Sequence, residues 1–294
     1  MKRRALGALL ATRALSWQPP AHRVAELFPP TADALARNAD PDAVFVVTGA
    51  NRGVGAAMVE QLTARTAGTV VACARDPATV AAASPRVRAA ALDVRDDASI
   101  DALAAAVGDR VDVLLNCAGV LHDAAHQPER SLDRLSRDWL LQSVDVNCAG
   151  PILVTKALRR ALAAGRRGSG AGRRGSGAAP SRPASVVANL SARVGSATDN
   201  GLGGWHSYRA SKAALNMLTK NCAIELKKQR TACVALHPGT TDTGLSKPFQ
   251  KNVQPAKLFP AAFTAAQLLD IVDGVELEVH SGGFYAWDGE SIEF

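Results

Sequence analysis

Short apolar runs alternate along this chain with longer stretches of helical periodicity. Residues 44–55, VFVVTGANRGVG, open as an apolar, β-branched strand, turn through Gly49, Gly53 and Gly55, and lead into a helical pattern over 53–65. Further strands are predicted at 69–74 (TVVACA), 87–92, 111–115, 184–190 (ASVVANL) and 231–236, with a last one at 284–287. Helical patterns fill 97–107, 139–163 and the stretch from Tyr208 onward. Strands that are apolar throughout are buried on both faces, as in a parallel sheet. Alternation of strand and helix at these lengths predicts an α/β protein, a doubly wound parallel sheet of about seven strands flanked by helices.

Two segments fall outside that pattern. Residues 1–25 are rich in Arg and Ala and contain no Asp or Glu. Such a composition fits a mitochondrial or plastid transit peptide, and equally an ordinary basic extension of a cytoplasmic protein. Residues 26–43, with Pro29, Pro30 and Pro41, read as a linker or a short helix, which sets an N-terminal extension at 1–42 and the domain at 43–294. Residues 165–178 repeat GRRGSGA in tandem. Gly, Ser and Arg at this density bury too little apolar area to order a chain, so a disordered insertion is expected over 165–183. In a doubly wound sheet it falls at the amino ends of the strands, away from the ligand edge.

Charge and cysteine usage narrow the partners. The formal net charge is +7. Lys2, Arg3, Arg4, Arg13 and Arg23 precede the first acidic residue, Glu26, and Arg166, Arg167, Arg173, Arg174 and Arg182 crowd the insertion. Without those ten the body is close to neutral, so a nucleic-acid partner is not indicated. No apolar run is long enough to span a bilayer, and a soluble protein is expected. The five cysteines (73, 117, 148, 222 and 233) have no zinc or disulfide spacing, which predicts free thiols and no metal.

The candidate chemistry starts at the glycine turn. Glycines between a strand and a helix let the backbone approach a pyrophosphate, which then sits against the free N–H groups of the helix start. At the end of the second strand an acidic side chain would suit the ribose of NAD, whereas an arginine favours the 2′-phosphate of NADP. Arg75 occupies that place and Arg52 lies within the turn; each also reads as a solvated surface charge, and Asp76 follows Arg75. NADP(H) is the better match. Tyr208 and Lys212, four residues apart, share one helix face. An ammonium beside a phenol, together with an oxidised nicotinamide, favours the phenolate and makes the tyrosine a workable general acid/base for a carbonyl oxygen.

The glycine turn TGANRGVG, NCAG at 116–119, Asn147 in the following helix, YRASK at 208–212 and PGTTDT at 238–243 together resemble the short-chain dehydrogenase/reductase superfamily over residues 44–294. NLSARVGSATDN, GGWHSYRASKAALNML and the terminal FYAWDGESIEF resemble the branch of bacterial C-factor and the sniffer-like carbonyl reductases. The resemblance implies a single Rossmann domain with Tyr208 as acid/base, Lys212 on the nicotinamide ribose, and Asn147 holding a relay water behind the lysine. It further implies dinucleotide contacts from Gly49, Asn51, Arg52, Gly53, Val54 and Gly55 of the turn. Arg75, Asp93, Val94, Asn116, Ala118 and Gly119 would serve the adenosine side. Pro238, Gly239, Thr241 and Thr243 would serve the nicotinamide side. It also implies a homodimer or homotetramer built on the long helices carrying Asn147 and Tyr208.

One departure stands out. The family's catalytic serine sits three residues before a glycine, here Gly195, and that position is Ala192. Ser191 is favoured as its substitute, with Ser196 as the alternative. His206 and His237 have no carboxylate partner in sequence and read as structural. A hydrolase triad of Ser191, His206 and Asp199 lacks the G-x-S-x-G elbow. The expected activity is NADP(H)-dependent interconversion of a carbonyl, aldehyde or ketone, with an alcohol. The missing serine keeps open a nucleotide-binding recognition or signalling protein with weak catalysis or none. An epimerase or dehydratase acting on nucleotide sugars ranks lower, because the region after residue 239 is short. Residues 244–283 are expected to form a substrate wall, with Phe249, Leu258, Phe259 and Phe263 lining a pocket or belonging to the core.

Overall fold

The computed structural model describes residues 17–81, 84–165 and 183–294. Nine strands occur in it: β1 Val44–Thr48, β2 Thr69–Ala74, β3 Val87–Ala91, β4 Val113–Asn116, β5 Ser185–Leu190, β6 Thr231–His237, β7 Thr240–Thr241, β8 Leu258–Phe259 and β9 Phe284–Ala286. Nine α-helices accompany them: α1 Val24–Leu27, α2 Ala32–Asn38, α3 Gly53–Arg65, α4 Asp97–Val107, α5 Arg137–Val144, α6 Gly150–Ala157, α7 Arg159–Ala164, α8 His206–Leu226 and α9 Ala261–Gly274. Seven strands form one sheet in the order β3-β2-β1-β4-β5-β6-β9, and every pairing in it is parallel. This is the doubly wound Rossmann architecture that the alternation predicts. Its switch point lies between β1 and β4, where the chain turns from building one half of the sheet to the other, and ligands bind at the carboxyl ends beside such a point.

Side-chain alternation sorts the strands' residues between two cores. Phe45 and Val47 of β1 join Met58 and Leu62 of α3 and Leu268 and Ile271 of α9 on one face. Val46 joins Ile100 and Leu103 of α4, Val154 of α6 and Leu226 of α8 on the other. Period-two geometry forces this split, and apolar residues at successive positions are its consequence. Local signals fix the element ends. Asp96 accepts the Ala98 N–H at the start of α4, and Ser136 accepts the Trp139 N–H at the start of α5, each satisfying a donor the helix leaves free.

The helical stretch expected over 139–163 is broken into α5, a π-turn at Asp145–Ala149, α6 and α7. A π-turn adds a residue to the helical turn and often marks a functional position; here it contains Asn147. Helix α9 and strand β8 lie in the region read only as a substrate wall, and β8 pairs with β7 just before it.

The stretch read as linker or short helix forms α1 and α2, which dock on α9. Phe28 is 2% exposed and fills the space beside Gly274, where a Cβ would meet its backbone. The Thr31 N–H reaches the Asp273 carbonyl at 3.0 Å. Arg37 pairs with the Asp273 carboxylate, and Asn38 donates to it at 3.0 Å. Trp17 lies 4.8 Å from Phe263, ring to ring. Residues 17–42 thus continue the core of the body. The basic stretch 1–16 and the insertion core 166–182 lie outside the described residues. The flanks of the insertion meet at the amino end of β5, where a Cβ on Gly165 would stand 2.8 Å from the Ala184 carbonyl.

Truncating Phe28 to Ala removes a buried ring packed against His280 and Tyr285, 4.5 and 5.0 Å away centre to centre. The expected cost is about 3–4 kcal/mol, read by urea unfolding, whereas Leu35→Ala on the exposed side of α2 should change stability by less than about 0.5 kcal/mol.

Candidate active site

The residues singled out in the sequence converge on the carboxyl edge of the sheet. Gly49 follows β1 and Gly53 opens α3, both at positive φ (65° and 58°). A Cβ on Gly49 would stand 2.8 Å from the Cα of Ala118, and one on Gly55 would overlap the Gly49 carbonyl. The glycine turn is therefore pressed against the loop after β4. Thr48 ties the two together by accepting the N–H groups of Cys117 and Ala118, both at 3.1 Å. Helix α3 starts without a side-chain cap, so its first N–H groups are open to an anion. Across the cleft the Thr243 methyl approaches Gly53, where a Cβ would be 3.3 Å away. Gly239 has φ 69°, and a Cβ there would collide with the Phe259 ring and stand 2.9 Å from Trp287.

At the ribose end, Arg52 and Arg75 are exposed. The Asp76 carboxylate accepts the Ala78 N–H at 3.0 Å and caps a short turn. That hydrogen bond engages Asp76 locally and leaves Arg75 at the edge. At Asp93, burial pushes the carboxyl upward, but hydrogen bonds from Arg95 outweigh it and hold the group below its ordinary range. The Val94 side chain packs into the core against Gly150.

Tyr208 and Lys212 project from the first turns of α8. The ammonium lies 5.7 Å from the centre of the Tyr208 ring and donates to the Leu190 carbonyl at 2.8 Å. Burial lowers the Lys212 pKa to about 8. Tyr208 moves the other way: burial disfavours the phenolate and raises the phenol above its ordinary value. Asn147 is fully buried; its amide accepts the Val120 N–H at 2.7 Å and donates to the Val120 carbonyl at 2.8 Å and Ser211 at 3.0 Å. Its side chain staples the loop after β4 to α8, beside Gly119.

Two expected site residues face the interior. Ser191 is 2% exposed and its hydroxyl donates to Asn216 at 2.6 Å, two helical turns beyond Tyr208. Ala192, the next position, is itself buried and carries no hydroxyl. Ser196 is equally buried and accepts the Asp199 N–H. Asn116 likewise turns inward, donating to Asn189 at 2.8 Å and to the Pro151 carbonyl at 3.2 Å, so it braces strands and does not line the cleft. Thr241 bonds to Thr264 at 2.9 Å within the body. His237 is held neutral, its pKa pushed down to about 3 by burial and by Arg193. Asp199 pairs with Arg193, so Ser191, His206 and Asp199 form no triad. Among the described residues no group of His, Cys, Asp and Glu could hold a metal, and all five cysteines are free.

Around Tyr208, Trp205 and His122 are not singled out in the sequence, whereas Phe249 is expected to line a pocket or belong to the core. Trp205 stands edge-on to Tyr208 at 6.3 Å and packs on Phe249 at 5.0 Å; Phe249 in turn lies 6.1 Å from His122. Phe249 therefore belongs to the wall above Tyr208. Phe259 and Phe263 instead join Trp287 and Trp17 in an aromatic cluster behind Gly239.

A family model described as enoyl-(acyl carrier protein) reductase matches residues 49–265, from the glycine turn into α9. The chain belongs to the short-chain dehydrogenase/reductase superfamily. This oxidoreductase is 30% identical over 255 residues to 1-hydroxy-2-glutathionyl-2-methyl-3-butene dehydrogenase of Rhodococcus sp. (strain AD45), covering 85% of this chain and 98% of that one. It is 31% identical to the C-signal protein of Myxococcus xanthus, covering 62% of this chain and 92% of that one. Among solved structures it resembles an NADPH-bound carbonyl reductase from chicken fatty liver with TM-score 0.73 and 27% identity, covering 86% of this chain and 99% of that one. No described helix of this oxidoreductase is long and apolar enough to cross a membrane.

The Lys212 shift predicts a signed pH effect. The folded-state pKa is about 8, below the ordinary lysine value of about 10.4. The unfolded chain therefore binds more protons across that window, and the contribution of Lys212 to stability rises from pH 8 to pH 10. Buried thiols such as Cys73 act in the opposite sense. The difference in urea stability between wild type and Lys212→Met, measured at pH 7.5 and 9.5, should accordingly shift toward wild type at the higher pH.

Proposed function

We propose that this reductase interconverts a carbonyl compound, aldehyde or ketone, with its alcohol, using NADP(H). The reading rests above all on Tyr208: a half-buried phenol at the cleft with the Lys212 ammonium beneath it, on the edge that also carries the glycine turn and Gly239. The cleft fits the dinucleotide. Gly49 and Gly53 clear a path for the backbone, the open start of α3 receives the pyrophosphate, and Gly119, Gly239 and Thr243 line the remainder. Arg75 and Arg52 would take the 2′-phosphate, a preference supported by the local engagement of Asp76. When bound, NADP(H) supplies or accepts the hydride.

The chain's own residues handle the proton and the substrate. Tyr208 gives its phenolic proton to the carbonyl oxygen in reduction and takes one from the alcohol in oxidation. Its raised pKa keeps that proton in place at neutral pH. Lys212 holds the ribose and, while charged, eases the phenolate that forms. Trp205, edge-on to Tyr208, and Phe249 packed on Trp205 add apolar surface beside the phenol, which favours aromatic or alkyl carbonyl compounds. A second reading, a recognition or signalling protein with little turnover, is favoured by one observation: Ala192 offers no hydroxyl, and Ser191 is bonded to Asn216.

Fluorescence titration with both cofactors tests the first step. NADPH should bind at least tenfold tighter than NADH, and Arg75→Ala should erase most of that preference; equal affinities would refute the arginine assignment. With an aromatic aldehyde, Tyr208→Phe should abolish turnover while leaving NADPH affinity within twofold. Ala192→Ser should raise kcat/KM at least tenfold, since one well-placed donor is worth about 10²–10³ in rate. Absence of turnover in both wild type and Ala192→Ser would support the second reading.

A further inference from the structure

Glu129 lies in the loop between β4 and α5 and is 2% exposed. Among the described residues its carboxylate has no cationic partner. Both oxygens accept the Ser207 N–H at 3.3 Å, and Oε1 also accepts the Ser207 hydroxyl. Its backbone carbonyl accepts the Trp205 N–H at 2.6 Å. Trp205 is held at φ 51° and ψ 41°, a left-handed conformation unusual for a bulky residue, after Gly203 and Gly204 at φ 63° and 66°.

Both features cost stability. A buried carboxylate with no ion partner loses more hydration than a helix N-terminus alone returns, and a left-handed tryptophan is strained. Both features act on the residues that lead directly into Tyr208: Trp205 is one of them, and Glu129 binds Trp205 and Ser207 from the loop after β4. What they accomplish is geometric. Glu129 ties the loop after β4, which Asn147 pins to α8 from the other side, to the second residue of that helix. The left-handed turn at Trp205 sets its indole edge-on to Tyr208 and against Phe249.

We infer that Glu129 is a positioning residue: it fixes the start of α8, and with it the place of the Tyr208 hydroxyl and of the Trp205 ring. The catalytic consequence rests on the proposed function; the geometric one does not. Two tyrosines occur in the chain, so Tyr285→Phe leaves Tyr208 as the sole tyrosine. In that background, labelled with 3-fluorotyrosine, the ¹⁹F spectrum reports Tyr208 alone.

Glu129→Ala should shift or broaden the single resonance, and Glu129→Gln, which keeps shape and acceptor oxygen, should restore part of it. With a carbonyl substrate, Glu129→Ala should lower kcat at least tenfold while the NADPH dissociation constant stays within twofold, with Glu129→Gln in between. An unchanged fluorine signal in Glu129→Ala overturns the proposal, as does a lowered melting temperature with kcat within twofold of the parent. If Glu129→Ala does not fold, Glu129→Gln carries the same comparison, and a parental spectrum and kcat there overturn it. A parent that reduces no carbonyl would sink the proposed function, while the fluorine spectrum still decides the role of Glu129.

Discussion

The arrangement of the cleft depends on one buried ammonium. Lys212 is 3% exposed, donates to the last carbonyl of β5 and lies under the Tyr208 ring. To place the lysine there the surroundings must yield space, and Gly195 does so: a Cβ on it would stand 2.7 Å from the Lys212 Cβ. The pKa of about 8 expresses the cost of this burial. In return, the strand end, the loop after β4 and the first turns of α8 are fixed around a single atom, and Tyr208 is fixed with them.

Helix α8 is held in that place by polar contacts along its inner face. Ser211 meets Asn147, Asn216 meets Ser191, and Thr219 meets Asn189, which in turn meets Asn116. Each of these groups is buried, so each hydrogen bond is expensive to leave unmade and specifies one register of the helix on the sheet. This polar ladder explains why serine and asparagine stand at the ends of β4 and β5, where ligand residues are usually sought. They recognise α8.

The same ladder marks the boundary of what the sequence discloses. Elements set by local rules were legible: α3 at Gly53–Arg65, α4 at Asp97–Val107 and β2 at Thr69–Ala74 have the predicted bounds. The Tyr208–Lys212 spacing was legible too, because a helix places positions four apart on one face. The direction of a strand-end side chain was not. Ser191 meets Asn216 25 positions away, and Asn116 meets Asn189 73 positions away. Glu129 reaches Ser207 across 78 residues and Arg37 reaches Asp273 across 236, so neither contact leaves a periodic trace in sequence. Likewise the burial that raises the Tyr208 phenol is a property of the whole fold and leaves no mark in the Tyr208–Lys212 spacing.

Ala192 can be weighed by magnitude. A single donor to a developing oxyanion is worth about 3 kcal/mol, whereas enzymes of this kind lower barriers by roughly 8–23 kcal/mol. Losing the serine hydroxyl therefore removes a minor part of what orientation, Tyr208 and Lys212 supply together. The investment elsewhere argues the same way. A protein that only recognised a dinucleotide would need the glycine turn, Arg75 and Gly239. Recognition alone gives no reason for a buried lysine beneath a tyrosine, nor for a strained tryptophan and a glutamate with no cationic partner among the described residues, both held at the head of the same helix. Those features concentrate cost around one phenol, and cost of that kind clusters where a group must be held at a defined point.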